Sequence, residues 1–112
     1  MELTYGYERK TFWKTKLYTE DINTCAGVDD LKKAFTALKK DQYAAVKFCR
    51  DRYGFSFTWD SPTDFNNDLI VINVCVGMSS DRIKCSFATA RKRAIQLFIG
   101  DLSAYELLHN IV

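Results

Sequence analysis

Residues Leu69 to Phe87 read LIVINVCVGMSSDRIKCSF, two runs rich in apolar residues separated by a stretch that starts at Gly77. The first run, Leu69 to Val76, is apolar and mostly β-branched, as suits a central strand covered on both faces. The second alternates, with Ile83 and Cys85 on one side and Arg82 and Lys84 on the other, which is the period of a half-buried strand. A four-residue loop at Met78–Asp81 would set Val76 opposite Ile83, Val74 opposite Cys85 and Ile72 opposite Phe87, giving one continuous apolar face. A one-residue slip would bring Arg82 and Lys84 among the valines, and such slips are strongly disfavoured where one face is buried. An antiparallel hairpin is therefore expected, with Cys75 and Cys85 on opposite faces and so unable to form a disulfide.

Upstream, Phe55, Phe57 and Trp59 alternate with Ser56 and Thr58, the pattern of a short strand with one aromatic face. Asp60 to Asp68, with the only proline and several turn formers, reads as a loop. Before it, Leu31, Ala34, Phe35, Leu38, Ala45, Val46, Cys49 and Tyr53 fall within one arc at helical spacing. They predict a helix over 29–53, with Asp29 and Asp30 at its start, Arg50 and Arg52 near its end and Gly54 in the left-handed position beyond it. Lys39-Lys40-Asp41-Gln42 is the one place where this helix could break in two, with Asp41 as a cap. Residues 3–19 alternate loosely, Trp13, Thr15 and Leu17 against Lys14, Lys16 and Tyr18. Leu3 to Tyr7 could pair with them across a turn at Glu8-Arg9-Lys10, making 1–25 an N-terminal β extension. From residue 89 to 112, Ala94, Leu97, Phe98, Leu102, Tyr105 and Leu108 recur at helical spacing, and Gly100-Asp101 could divide that helix with Asp101 as a cap.

These readings combine into a single α+β domain of order β(hairpin)-α-β-β-β-α, an antiparallel sheet over 55–88 with helices packed on one face. A chain of 112 residues that is 47% hydrophobic has room for one core and material to fill it. Its apolar runs fall far short of the roughly 20 residues of a membrane span, and the first residues lack the basic and apolar regions of a secretory signal. The expected setting is cytoplasmic, away from membranes, with reduced thiols.

The residues that would carry chemistry are sparse. Cys25, Cys49, Cys75 and Cys85 form no close pair, and His109 is the only histidine, so no metal site is expected. No phosphate loop, nucleophile elbow or zinc-protease signature is present, and neither a cofactor nor catalysis is expected.

Charge is more informative. The net charge is only +2, yet Lys32, Lys33, Lys39, Lys40, Lys47 and Arg50 would lie along one outer stripe of the expected first helix, long enough to follow a phosphate backbone or an acidic protein surface. The plainer alternative is a solvated helix face. Arg91-Lys92-Arg93 would open the last helix, where positive side chains oppose the helix dipole and a bound anion would relieve the conflict.

Val74-Cys75-Val76-Gly77 followed by a short turn, together with Ala90-Arg91 and Ala94, resembles the double-stranded RNA-binding domain over residues 43–102. The resemblance implies an α-β-β-β-α order and contact of the last helix with duplex phosphates. Phe87 and Ala88 stand where that family carries two lysines, and Asp60 to Asp68 replaces its Gly-Pro-x-His loop. The function expected from the whole is a non-enzymatic protein-interaction module whose partner is part of a nucleic-acid-processing complex. Compact domains of this kind are the usual form of phage-encoded anti-defence inhibitors, anti-CRISPR proteins among them. Direct binding of double-stranded RNA or other nucleic acid is the alternative.

Overall fold

The computed structural model describes residues 3–11, 14–25, 27–50 and 52–110. In chain order its elements are β1 (Leu3–Thr11), β2 (Lys14–Cys25), α1 (Val28–Lys40), β3 (Ala44–Arg50), β4 (Tyr53–Thr58), α2 (Pro62–Asn66), β5 (Leu69–Val76), β6 (Ser79–Ser86), α3 (Phe87–Ile99) and α4 (Ala104–Asn110). The strands form one antiparallel sheet in the order β2-β1-β3-β4-β5-β6. The chain is thus an α+β domain built on an antiparallel sheet.

Cross-strand register explains which residues fill the core. Val46 faces Phe57, Phe57 faces Ile72 and Ile72 faces Ile83, while Phe48, Phe55 and Val74 make the next row. Side chains alternate between faces along a strand, so these rows share one side of the sheet. Leu31, Phe35 and Leu38 of α1, Ala90, Ala94 and Leu97 of α3 and Leu107 of α4 are buried in the same cluster. The opposite side carries the row Lys47, Ser56, Asn73, Arg82.

The expected helix over 29–53 is corrected: it ends at Lys40, and Ala44–Arg50 is strand β3. Asp41 ends the helix by an Asx turn, its carboxylate accepting the Tyr43 N–H at 2.9 Å. The misreading has a physical cause. Ala44, Ala45 and Val46 are all buried, so both faces of β3 are apolar at its start, and a short run of that kind fits a buried helix as well as a central strand. Residues from Tyr43, which the family resemblance would place in a first helix, lead into this strand. The expected three strands over 55–88 are joined by β3 and by β1 and β2.

The hairpin register is also corrected. Val76 faces Ser79 and Ile72 faces Ile83, so the loop is the two residues Gly77-Met78 and not Met78–Asp81. Gly77 has φ 57°, the positive value that a tight hairpin turn demands at its first central position. The shift moves the pairing by an even number of residues, so the faces assigned to Ile83, Cys85, Arg82 and Lys84 stand. At the N-terminus the hairpin exists, but β1 continues through Glu8–Lys10 and Thr11 faces Lys14. The side chain of Trp13 lies outside the described residues.

Asp60–Asp68 contains the short helix α2, capped by the Ser61 hydroxyl with Pro62 in its first turn. The C-terminal stretch divides at Gly100, as the sequence allows, although α3 starts two residues earlier than residue 89. Ser103 rather than Asp101 caps α4: its hydroxyl oxygen accepts the Glu106 N–H at 3.1 Å and its O–H donates to the Glu106 carboxylate at 3.1 Å.

The end of α3 is locked from β3. Arg50 Nη1 donates to the carbonyls of Leu97 and Phe98, groups that a helix terminus leaves without partners. Gly100 follows with φ 88°, and a Cβ there would stand 2.7 Å from Arg50 Nη2. Gly100→Ala should therefore cost about 2–4 kcal/mol, from left-handed strain plus displacement of the guanidinium, and Arg50→Ala about 1–3 kcal/mol. In urea denaturation the double variant should lose about 1 kcal/mol less than the sum, because the clash needs both side chains.

Candidate functional site

The described residues bring part of the expected basic surface together and disperse the rest. Thr36, Lys39 and Lys40 from α1 and Phe87 and Arg91 from α3 line one cleft of about 200 Å³. Lys32 lies on the same flank of α1, since successive residues turn by about 100° and Lys32 falls between Thr36 and Lys39 around the axis. Lys33, exposed and a turn and more before Lys40, is not part of the cleft lining.

The cleft exists because an aromatic layer sets the two helices beside each other. Trp59 stacks on Phe87 at 5.6 Å between ring centroids and meets Phe65 edge-on at 4.9 Å. Phe35 packs edge-on against Phe57 at 5.0 Å and tilts towards Phe87 at 6.0 Å. The indole N–H of Trp59 donates to the carbonyl of Leu38 at 2.9 Å, in the last turn of α1. Phe87, the first residue of α3, donates its backbone N–H to the carbonyl of Asp68 at 2.7 Å. The end of α1 and the start of α3 are thus both tied to the segment between β4 and β5.

Within the cleft the cations differ. Lys39 is ion-paired with Asp68, and its ammonium lies 5.7 Å from the Trp59 ring and 5.4 Å from the Phe87 ring, within cation–π range. It belongs to the scaffold. Lys40 and Arg91 are exposed and pair with no carboxylate among the described residues. Two exposed cations on separate helices thus line one small cleft, while the Thr36 hydroxyl beside them donates to the Lys32 carbonyl at 2.9 Å.

The other expected residues go elsewhere. Lys47 lies on the open face of the sheet, opposite Ser56, and Arg50 is held by the end of α3. The expected stripe therefore stops at Lys40. Arg91, Lys92 and Arg93 do not open α3, which begins at Phe87. They occupy its second turn and fan around it, so they form no single patch: Arg91 reaches the cleft, Lys92 points to solvent, and Arg93 donates to the Gln96 side chain at 2.9 Å. Arg93 also lies near Cys85, whose thiol burial pushes above its ordinary value, with Arg93 acting in the opposite direction.

One arrangement of charges escaped the sequence reading. The carboxylates of the Asp60–Asp68 segment are answered by cations. Asp60 pairs with Arg82 at 2.5 Å and with Lys84 at 3.6 Å, Asp64 takes Lys84 at 2.8 Å, and Asp68 takes Lys39. The available signal was the alternation of Arg82 and Lys84 on the outer side of β6, with aspartates at 60, 64 and 68, each four residues from the next. No three-residue cluster of histidine, cysteine or carboxylate able to hold a metal occurs among the described residues. No helix there is long and apolar enough to cross a membrane. Comparison with known proteins finds no matching family model, no matching curated protein and no matching solved structure.

The Asp60 cluster makes a pH prediction. The hydrogen bond from Arg82 holds Asp60 below its ordinary 3.8. A depressed carboxylate adds stability above its unfolded-state value and loses it as the pH falls through the folded one. Asp60→Asn should lower Tm relative to wild type at about pH 6, and the difference should shrink as the pH falls below 3.8 and vanish once it is below the folded-state value. Thermal unfolding followed by circular dichroism across that range reads it directly.

Proposed function

We propose that the chain is a non-enzymatic binding module that receives acidic side chains of a protein partner in the α1–α3 cleft. The observation that supports this most is the placement of Lys40 and Arg91, unpaired among the described residues and facing one cavity from two different helices. Surface cations normally find carboxylates or scatter, and concentrating them in a concave site raises the local potential for an anion. A partner within a nucleic-acid-processing complex would meet this cleft through an acidic patch of its own surface. The small size fits an inhibitor of the kind phages direct against host defence nucleases.

A protein partner is favoured over direct nucleic-acid binding because the run of cations is short: Lys47 lies on the open face of the sheet and Arg50 is held by the end of α3, so the stripe that would follow a phosphate backbone stops at Lys40. The double-stranded RNA reading draws instead on the continuation of cations to Lys32 along the same flank, about two turns of helix in all.

Affinity capture from native-host extract, with nuclease treatment and with Lys40→Glu and Arg91→Glu in parallel, tests both readings. The protein reading predicts a partner that survives nuclease treatment and is retained about tenfold less by either charge reversal, with Tm unchanged. Loss of the captured material on nuclease treatment, together with duplex RNA binding that weakens steeply with salt, would replace it with the nucleic-acid reading. Capture that ignores both substitutions would refute the cleft as the site.

A further inference from the structure

A second cavity, of about 230 Å³, lies at the other end of α3, between the β3–β4 hairpin and the start of α4. Its lining holds one cation and one anion. Arg50 is half-buried and uses only Nη1 on the α3 carbonyls, so Nε and Nη2 make no hydrogen bond to the protein among the described residues. A guanidinium offers five N–H donors, and leaving several of them without partners beside a cavity is unfavourable unless a ligand or solvent takes them. Glu106 lines the same cavity from the exposed first turn of α4. Its carboxylate takes one hydrogen bond from Ser103, and no ion pair joins it to Arg50 among the described residues. Opposite charges that share a cavity without meeting leave between them a gap with a positive and a negative end. The rest of the wall has an apolar part, with Phe55 and Leu97 buried beneath and Leu102 beside them, and a polar part from Tyr53 and Ser103.

We propose that this cavity binds a small zwitterion, an α-amino acid with an apolar side chain. Its carboxylate takes the free Arg50 donors in a bidentate pair, its ammonium takes the Glu106 carboxylate, and its side chain lies on Phe55, Leu97 and Leu102. The volume decides the class of ligand: cavities for drug-sized molecules run to roughly 300–1,000 Å³, and this one is smaller. A single anion would be repelled by Glu106 and a single cation by Arg50, whereas a molecule carrying both charges a few ångströms apart satisfies each. The site is independent of the α1–α3 cleft.

The test is backbone amide NMR of the full chain titrated with L-leucine, L-valine and L-methionine, and with N-acetyl-L-leucine and L-leucine methyl ester, which lack the ammonium and the carboxylate respectively. At least one free amino acid should give saturable shifts centred on Gly100 to Glu106, at a Kd of millimolar order or tighter, and both derivatives should bind about tenfold more weakly. Glu106→Gln should weaken the free amino acid by a similar factor and should not weaken N-acetyl-L-leucine, whose carboxylate is relieved of a like charge. Glu106 is the position to change because Arg50 also holds α3. Absence of saturable shifts up to about 20 mM, equal binding of either derivative, or indifference to Glu106→Gln would overturn the proposal.

Discussion

The position of Trp59 is the constraint on which the rest of the molecule depends. Its indole is buried between three elements, hydrogen-bonded to the last turn of α1, stacked on the first residue of α3 and edge-on to Phe65 of α2. A buried indole N–H without a partner costs about 1–3 kcal/mol, so the Leu38 carbonyl is a fixed destination and not one choice among many. Aromatic pairs of this geometry add about 0.5–1.5 kcal/mol each beyond the area they bury. The end of one helix and the start of another are thereby held at one junction, and Lys40, two residues past Leu38, and Arg91, one turn past Phe87, line a common space.

The same junction sorts the charges. Asp60, Asp64 and Asp68 follow directly from Trp59 in sequence, and each takes a cation from a neighbouring element: Arg82 and Lys84 from β6 and Lys39 from α1. These exposed pairs each contribute little to stability, typically 0–1 kcal/mol. Together they neutralise the acidic segment, so that in a chain with a net charge of only +2 Lys40 and Arg91 keep their charge unanswered at the cleft, the feature on which the proposed function rests.

How much of this was legible depends on the range of the interactions involved. The aromatic face of β4, the core residues of α1 and α3 and the break at Gly100 follow from local periodicity and turn chemistry, and the sequence shows them. The strand β3 was hidden because Ala44, Ala45 and Val46 are buried on both faces of the sheet, which erases the alternation that marks a strand. The tight turn at Gly77 was readable from glycine alone, but the apolar pattern was satisfied equally by two registers an even number of residues apart. For the site, the cations were visible as residue types while their grouping was not. Lys40 and Arg91 meet only because α1 stops at Asp41 and α3 starts at Phe87. Arg50 leaves the basic surface for the same reason: once residues 44–50 are a strand, its side chain reaches the end of α3.

The claim at the centre of this account is that anions are received between α1 and α3, by geometry that Trp59 maintains. Backbone amide shifts recorded on titration with a synthetic acidic decapeptide at low salt test it most directly. The account predicts perturbations centred on Thr36 to Lys40 and Phe87 to Arg91, lost in Lys40→Glu. Shifts centred instead on β6 or on the open face around Lys47, or spread evenly over every exposed lysine and arginine, would contradict it.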